Sequence, residues 1–543
     1  MRKLLTTALL ISASSMFAND TIFVKEMQVP LLINRTDNIL FKVKVDNENK
    51  EKNEFNELTL EFDKNVNLKN VESLKLYYSG TEANSNNGKD LYSPVEYISR
   101  ESIVNGKSAN KSYSVLKDSV DVKKRKITLK ADQKLFPGIN YFWVSLQLKE
   151  NSKLTDFVSS EIVDVKVDSK SAPIALKSGE KKEVLFAKGV RFAGDDGIAA
   201  YRIPGLVTSN KGTLLGVYDN RYNSSVDLQE HVTIGLSRST DKGQTWEPMK
   251  TVLDMDEYGG LPKAQNGVGD PSILVDETNN NIWVIAAWAH GEGNQRSWWN
   301  SLQGMNEQET AQLILTCSED DGKTWSKPIN ITEQVKLPEQ YFLLQGPGRG
   351  ITMKDGTLVF PIQFIDKDRV PNAGIMFSKD HGKTWKINNA ARSNTTEAQV
   401  VEVEPGILML NMRDNRGGSR AVATTNDFGI TWNEHPSSRK ALQEPVCMAS
   451  IIKVDAKDNI LGKDILIFSN PNSTKNRNNM TIKISEDGGN SWPYELLIDE
   501  GYSWGYSCLS MIDKETVGIL YEGSSVHMAF QRIPLKNIVN NKK

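Results

Sequence analysis

Residues 19–180 alternate apolar and polar side chains in short runs separated by turns rich in Asn, Gly and Lys. "LTLEFDKNV", "SLKLYYSG", "RKITLKA" and "YFWVSLQLKE" are examples. Successive side chains of a β-strand point to opposite faces of the sheet, so this period of two predicts half-buried strands. A series of short strands joined by turns predicts a β-sandwich over residues 19–180, and "KSGEKKE" (residues 177–183) is the expected linker to a second domain.

Beyond the linker, pairs of apolar runs flank a turn and predict six hairpins. The paired runs are "YRIPGLVTS" and "GTLLGVYD", "DPSILVDE" and "NNIWVIAAW", "RGITMKD" and "GTLVFPIQF", "EAQVVEVE" and "GILMLNMR", "MASIIKVDA" and "DILIFSNP", and "SCLSMIDK" and "ETVGILYEG". Five hairpins precede a third apolar run that leads into a shared octapeptide, and the sixth precedes "VHMAFQRI". Six similar antiparallel sheets predict an all-β fold with a six-bladed propeller over residues 181–543. "KEVLFAKG", near residue 185, is expected to complete the last blade.

The octapeptide has the pattern [S/T]-x-D-x-G-x-[S/T]-W and begins at residues 239, 318, 378, 425 and 485. Ser and Asp side chains accept hydrogen bonds from nearby backbone N–H groups, Gly supplies a positive φ, and Trp anchors the turn in an apolar core. The octapeptide follows the third strand of each blade, so it belongs at the end opposite to the starts of the first strands. The repeated turn is therefore predicted to be scaffold, and the site is predicted at the other end, here called the mouth.

Composition narrows the possible partners. The chain has 543 residues, with 66 basic and 68 acidic side chains and a formal charge of −2. Nucleic acid is excluded as the main partner, because binding phosphates needs a basic face. Arg2, Lys3 and the following apolar stretch predict a signal peptide over residues 1–18, and hence a periplasmic or secreted protein. No later segment is apolar enough to span a membrane.

Metal and disulfide chemistry have little support in the sequence. Cys317, Cys447 and Cys508 are an odd number without CxxC or CxH spacing, and the five histidines are scattered. We therefore predict no metal and no organic cofactor.

Charged residues and tyrosines collect at the predicted mouth. First strands contribute Tyr201, Arg202, Asp270, Arg349, Glu397 and Tyr506, and the loops after second strands contribute Arg221, Asp227, Arg413 and Arg477. Any one arginine is ordinarily a surface residue. Several at one end suit a carboxylate-bearing ligand, because a guanidinium pairs with a carboxylate in a bidentate manner.

These motifs resemble a bacterial exo-sialidase (neuraminidase). The resemblance covers residues 185–535 and rests on "YRIPGL", the five octapeptides (Asp boxes), "EAQVVEVEPGILMLNMRDNR", "SNPNSTKNR" and "GYSCLSMID" with "VGILYEG". The N-terminal region resembles the β-sandwich, similar to a carbohydrate-binding module, that precedes the propeller in sialidases of gut and oral Bacteroidetes. Tyr201 stands where family members usually have Phe, a change we expect to be harmless.

The resemblance implies a role for each matching residue. Arg202, Arg413 and Arg477 correspond to the triad that binds the sialic acid carboxylate. Tyr506 corresponds to the nucleophile, Glu397 to its base and Asp227 to the acid/base. Arg221 corresponds to an arginine near O4 and the carboxylate, and Asp270 to a carboxylate that meets O4 or the amide. Nearby arginines are expected to favour the Tyr506 phenolate.

Alternative candidates for the nucleophile, the base and the acid lie at less suitable positions. Tyr521 lies within a predicted second strand, Glu402 falls at the far end of a first strand, and Asp219 is less able than Asp227 to reach out over the sugar. Trp298 and Trp299, in a long mouth loop, could stack on sugar or pack within their loop. Tyr77, Tyr78 and Trp143 could bind sugar or form the core of the sandwich.

The sequence thus predicts a monomeric exo-α-sialidase that acts on sialylated glycans. A trans-sialidase or intramolecular trans-sialidase remains an alternative, because only the exclusion of water on the leaving-group side separates them. A sialic-acid-binding lectin would lack the Tyr506 and Glu397 pair, and a propeller scaffold would not need the arginines. The preferred linkage stays open.

Overall fold

The computed structural model describes residues 21–47, 53–81, 114–177, 182–228, 230–290 and 297–542. The predicted signal peptide lies outside these residues. The fold is all-β, as predicted, with 52% strand and 5% helix. Among the described residues, the α-helices are single short turns: α1 (Ser297–Asn300), α2 (Thr332–Val335) and α3 (Leu535–Val539). Within the described ranges, no helix is both long and apolar enough to cross a membrane.

Two sheets packed face to face form the N-terminal sandwich. The strands of this part of the chain are β1 (Thr21–Glu26), β2 (Leu31–Leu32), β3 (Asn38–Asn47), β4 (Glu54–Phe62), β5 (Val71–Gly80), β6 (Ser114–Asp121), β7 (Lys126–Lys134), β8 (Gly138–Leu148), β9 (Phe157–Val158), β10 (Ser160–Val167), β11 (Lys170–Ser171) and β12 (Ile174–Lys177). The short strands β2 and β9 lie outside the two sheets and pair with a later strand. One sheet has the order β12-β1-β3-β8-β5-β6 and the other β11-β10-β4-β7. The alternating apolar residues of both sheets meet in one core.

The sandwich aromatics offered as sugar-binding candidates are core residues. Tyr77 stacks on Trp143 with ring centroids 4.1 Å apart, and its hydroxyl donates to Asp37 at 2.8 Å. Tyr78 packs against Phe142. All three candidates are buried, so they do not supply an exposed sugar platform.

The propeller has six blades, as predicted. β13 (Val184–Arg191) enters it, and the blades follow in chain order. Blade 1 has β14 (Ala200–Thr208), β15 (Leu214–Arg221), β16 (Val232–Ser239) and β17 (Lys250–Leu253). Blade 2 has β18 (Asn266–Val275), β19 (Ile282–His290), β20 (Gln312–Ser318) and β21 (Ile329–Asn330). Blade 3 has β22 (Phe342–Gln345), β23 (Gly348–Arg349), β24 (Ile351–Thr352), β25 (Leu358–Ile365), β26 (Pro371–Ser378), β27 (Lys386–Ile387) and β28 (Arg392–Ser393).

The remaining blades repeat this plan. Blade 4 has β29 (Thr395–Glu404), β30 (Ile407–Asp414), β31 (Gly418–Ser419), β32 (Ala421–Thr425), β33 (Asn433–Glu434) and β34 (Gln443–Glu444). Blade 5 has β35 (Ser450–Val454), β36 (Ile465–Pro471), β37 (Met480–Ser485) and β38 (Tyr494–Asp499). Blade 6 has β39 (Ser507–Asp513), β40 (Thr516–Tyr521) and β41 (Met528–Pro534).

The predicted closing strand completes the ring. β13 pairs antiparallel with β41, so a strand from the start of the propeller finishes its last blade. The same strand pairs in parallel with β2 of the sandwich, which joins the two parts through one sheet. Arg35 adds a hydrogen bond to the carbonyl of Ser525 at 2.6 Å.

The octapeptide turns have the predicted hydrogen bonds. In the first, Asp241 accepts from Ser239 at 2.8 Å and from the Thr245 backbone at 2.9 Å, and Gly243 has φ +85°. The Trp246 indole donates to the Gly243 carbonyl at 3.1 Å. In three of the turns the glycine packs closely against a side chain of the preceding blade. The pairs are Gly243 with Phe530, Gly322 with Leu215, and Gly382 with Trp283. The turns therefore seal neighbouring blades together.

Strand register fixes the two ends of the propeller. In blade 1, Leu214 pairs with both Thr208 and Ser239, so the octapeptide lies beside the first hairpin turn. Arg221 pairs with Ala200 and Val232 at the opposite end. This end is the mouth, and it faces away from the tryptophan-bearing turns as predicted.

Candidate active site

Irregularities in the first strands shape the mouth. The pairing with the second strand shifts in β14 between Arg202 and Gly205, in β18 between Gly269 and Ser272, and in β29 between Thr395 and Ala398. A β-bulge bends its strand and turns a side chain away from the regular face. Arg202, Asp270 and Glu397 lie at these three irregularities, and Ile203 and Asp270 have φ of +60° and +59°.

Tyr506, Glu397 and Arg413 form one hydrogen-bonded group. The Tyr506 hydroxyl donates to Oε1 of Glu397. Arg413 Nη1 lies 2.6 Å from Oε2 of the same carboxylate and 3.3 Å from the Tyr506 oxygen. Tyr506 immediately precedes β39, while Glu397 lies on β29 and Arg413 on its paired strand β30. Blades 4 and 6 thus supply the two halves of this group.

The Tyr506 ring lies in a buried apolar environment that affects the pKa of its hydroxyl. It packs in a buried cluster with Ile203, Cys447 and Met448. Burial, and then the negative charge of Glu397, raise the pKa of Tyr506 well above its usual range, although Arg413 and Arg477 act in the opposite direction. Arg413 and Arg477 thus favour the phenolate, as expected, but desolvation outweighs them and the net shift of the pKa is upward. The phenol keeps its proton at neutral pH.

The three arginines expected to bind a carboxylate converge on this tyrosine. The guanidinium carbons of Arg202 and Arg477 lie 5.7 and 5.8 Å from the centre of the Tyr506 ring. Arg202 also lies 4.5 Å over the Trp504 ring, and the Trp504 carbonyl accepts from Arg477 at 3.0 Å. With Arg413, three guanidiniums surround one phenol, and their charge suits an anionic ligand.

Glu522 is a site residue that the sequence analysis missed. Its Oε1 accepts from Arg202 Nε at 2.6 Å and from the Ile203 backbone at 3.1 Å, and Oε2 accepts from the Tyr506 backbone at 2.9 Å. The side chain is fully buried. Glu522 directly follows β40 at the mouth, the position from which blades 1 and 4 supply residues, so the same topological argument could have found it.

Arg221 organises three carboxylates on the other side of the mouth. It donates to Asp219 at 2.7 and 3.0 Å and to Asp227 at 2.6 Å, and it lies 3.8 Å from Asp270. Its Nη1 also donates to the Ser225 carbonyl at 2.7 Å. With only 1% of its side chain exposed, Arg221 braces these groups from below. Direct contact between Arg221 and a sugar stays a prediction.

The two candidate acids differ in access. Asp219 is completely buried, accepts from Arg221 and also accepts from the Asp270 backbone at 2.8 Å. Asp227 has 61% of its side chain exposed, and its Oδ1 lies 3.9 Å from Arg202. A group that exchanges protons with substrate must be reachable, so this geometry favours Asp227. Burial, and then the charge of Asp219, raise the pKa of Asp270 well above its usual range.

Some residues expected at the mouth lie elsewhere. The prediction that Arg349 lies at the mouth is wrong. The first strand of blade 3 begins at Phe342, and Arg349 comes after a break in that strand. Its side chain donates to the Leu509 carbonyl at 3.2 Å. Tyr201 packs edge-on against Tyr218 in the core. The rival Tyr521 is buried and bonds Gln531, and Glu402 accepts from the Lys354 and Gly406 backbones near the octapeptide end.

The mouth tryptophans behave differently from each other. Trp298 packs edge-on against Phe342, with ring centroids 5.6 Å apart, so it packs inside the protein. Trp299 is 62% exposed.

The described residues contain no group of three or more His, Cys, Asp and Glu side chains arranged to hold a metal ion. What the mouth offers is a hydrogen-bonded phenol and carboxylate, a cluster of guanidiniums and a reachable carboxyl. On this fold, that chemistry defines a propeller glycoside hydrolase.

Comparison with known proteins gives the family. The model of the N-terminal domain of BNR-repeat neuraminidase matches residues 19–171, and that of the BNR repeat-like domain matches residues 203–522. A sialidase of Bacteroides fragilis (strain YCH46) is 63% identical over 524 residues, covering 96% of each chain. A sialidase of Clostridium perfringens is 30% identical over 364 residues, which is 63% of this chain and 91% of that protein.

Solved structures agree. The Hadza microbial sialidase Hz136 superposes with a TM-score of 0.90 at 57% identity, covering 95% of this chain and 99% of that one. The chain belongs to the bacterial sialidase (BNR-repeat neuraminidase) family and is a glycoside hydrolase.

Proposed function

We propose that this protein is a retaining exo-α-sialidase that releases terminal sialic acid from glycoproteins, glycolipids and oligosaccharides through a covalent intermediate on Tyr506. We also propose that it acts as a monomer, exported to the periplasm or the medium by its N-terminal residues. Membership of the sialidase family supports the substrate class. The observation that carries the mechanism is the hydrogen bond from the Tyr506 hydroxyl to Glu397.

Substrate binding begins with charge. Sialic acid carries a carboxylate on its anomeric carbon, and Arg202, Arg413 and Arg477 offer guanidiniums for it around Tyr506. Bidentate guanidinium–carboxylate pairing fixes orientation as well as affinity. It also brings the anomeric carbon next to the phenol oxygen. A carboxylate nucleophile would be repelled by the substrate carboxylate, whereas a phenol approaches as a neutral group.

In the first step, the Tyr506 oxygen bonds to the anomeric carbon as the bond to the leaving oxygen breaks. The phenol proton passes to Glu397, which already accepts its hydrogen bond. Asp227 gives its proton to the leaving oxygen, and the glycan departs as an alcohol. Because Tyr506 has a raised pKa, proton transfer must accompany attack.

The second step reverses these transfers. Water attacks the anomeric carbon while the Asp227 carboxylate takes its proton. The bond to Tyr506 breaks, and the phenolate regains its proton from Glu397. Two displacements leave the configuration of the sugar unchanged, and the sum is hydrolysis.

Product analysis on 3′-sialyllactose with the wild type and Tyr506→Phe tests the proposal. NMR of the first product formed should show free α-sialic acid from the wild type. Tyr506→Phe should lose several orders of magnitude in turnover, roughly 10³-fold or more, since nucleophile and base act as a unit. Equal turnover by both proteins would refute the nucleophile. A β-anomer as first product would refute retention, and an anhydro sugar would identify an intramolecular trans-sialidase.

A further inference from the structure

In the loop that carries Asp227, exposed side chains are followed directly by a buried one. Val226 is 38% exposed and the Asp227 side chain 61% exposed, whereas Leu228 is only 3% exposed. Leu228 also has a positive φ of 39°, an uncommon conformation for a residue other than glycine. The backbone therefore turns sharply just after Asp227, and the next side chain points into the protein.

Small residues of blade 2 make room for this leucine. A Cβ added to Gly269 would lie 2.6 Å from Leu228 Cδ2, so only glycine fits there. Leu228 belongs to one buried apolar cluster with Ala287, Ala289, Ala311, Phe342, Leu344 and Ile365. We call this cluster, together with Gly269, the Leu228 socket. Trp298 packs against the outer side of this cluster, on Phe342.

The socket lies next to the other site residues. Gly269 precedes Asp270, and the same added Cβ would approach Asp219 Oδ1 to 3.2 Å. Leu228 is thus seated beside the carboxylates that Arg221 gathers. Arg221 holds the loop before and at Asp227, through the Ser225 carbonyl at 2.7 Å and Oδ1 of Asp227 at 2.6 Å. The buried leucine adds an apolar attachment on the other side of Asp227, one residue further along the chain.

We propose that Leu228 is a positioning residue for Asp227, and that its seat in the socket holds the carboxyl at the leaving oxygen. The inference rests on the proposed acid/base role of Asp227. A displacement of about 1 Å can cost on the order of 100-fold in rate when a proton must be delivered along a set direction. The cost should depend on the leaving group, because a phenol of low pKa departs with little help from an acid.

Leu228→Ala should therefore separate two substrates. On 3′-sialyllactose, whose leaving group is an alcohol, kcat/KM should fall about 10- to 100-fold. On 4-nitrophenyl α-sialoside it should stay within about threefold. Leu228→Met, which nearly conserves volume, should restore most of the activity on sialyllactose. Val226→Ala, on the exposed side of Asp227, should change neither. Thermal unfolding of each variant fixes an assay temperature at which all are folded.

Two outcomes would overturn the proposal: an equal loss on both substrates, which marks a general structural effect, or no loss on sialyllactose. Asp227→Asn, assayed in parallel, distinguishes a failure of the positioning role of Leu228 from a failure of the acid/base role of Asp227. If Asp227→Asn discriminates between the substrates and Leu228→Ala does not, the positioning role alone is wrong. If Asp227→Asn does not discriminate either, the acid/base role of Asp227 is wrong and the inference is overturned with it.

Discussion

Tyr506 and Glu397 lie 109 positions apart in the chain and share a hydrogen bond at the propeller mouth. The tyrosine comes from blade 6 and the glutamate from blade 4, and each stands at or near the start of a first strand. A phenol is protonated at neutral pH, and burial raises the pKa of Tyr506 further, so attack by its oxygen needs a base that receives the proton. Glu397 occupies the position such a base needs.

Glu397→Gln should lower kcat on 3′-sialyllactose by about 10²- to 10⁴-fold, the usual contribution of a positioned base. An amide cannot take the phenol proton at neutral pH, although it keeps the shape of the side chain. Steady-state kinetics at constant pH measures the loss.

Glu402→Gln is the matched control, since Glu402 lies on the same strand at the octapeptide end and accepts backbone hydrogen bonds there. Its kcat should be that of the wild type. If the two variants were equally active, Glu397 would not be the base.

Much of this fold follows from local patterns. The octapeptides, hairpins and closing strand are repeated signals, and antiparallel order decides which loops share an end. Strand order alone predicted that Tyr506 lies at the mouth with four charged residues: Arg202, Arg413, Arg477 and Glu397. In the structure these four side chains lie around the Tyr506 phenol. Residues whose position depends on strand order were within reach of the sequence.

Features that depend on burial or on β-bulges could not be predicted from the sequence. The prediction that Arg349 lies at the mouth treats "RGITMKD" as the whole first strand, but that strand begins at Phe342 and is interrupted between β22 and β24. The position of Glu522 at the mouth could have been predicted from strand order, but its burial and its bonds to Arg202 and to the Tyr506 backbone follow only from the coordinates. The pKa of Tyr506 depends on a balance between desolvation and charge that only coordinates reveal.

Glu522→Gln should weaken substrate binding. It removes the charge that faces Arg202, and its amide cannot accept from both the Arg202 side chain and the Tyr506 backbone. A loosened guanidinium should raise KM about tenfold or more with a smaller change in kcat, because it binds substrate and transition state alike. Breaking a buried ion pair should also cost about 3 kcal/mol of stability. The exposed Glu515→Gln should change neither quantity, and an unaltered KM for Glu522→Gln would contradict the role.

Glu26 makes the stability of the protein depend on pH. Burial raises its pKa from 4.5 to about 7, while Lys182 acts against this and Glu500 adds to it. The folded protein then binds the proton more tightly than the unfolded chain, so stability is greatest below pH 4.5 and declines as the pH rises through 7. Glu26→Gln should remove this decline and be up to about 3 kcal/mol more stable than the wild type at pH 8.

Thermal unfolding of both proteins from acid to alkaline pH measures the effect. The two unfolding curves should coincide near pH 4.5, the ordinary pKa of this carboxyl, and separate above it. The exposed Glu150→Gln in the same sandwich should follow the wild type at every pH. A constant difference between Glu26→Gln and the wild type would contradict the titration.

Gly243→Ala tests whether the octapeptides are scaffold alone. Gly243 has φ +85°, and a Cβ there would overlap the Phe530 ring on the preceding blade. Gly212, at the same end of blade 1, has φ +80° with open space around it, so Gly212→Ala reports the backbone strain by itself. Gly243→Ala should lose about 1–3 kcal/mol more than Gly212→Ala, from overpacking. Both should keep the kcat/KM of the wild type while folded, because the mouth lies at the other end. A loss of kcat/KM confined to Gly243→Ala at unchanged stability would move part of the chemistry to the turns.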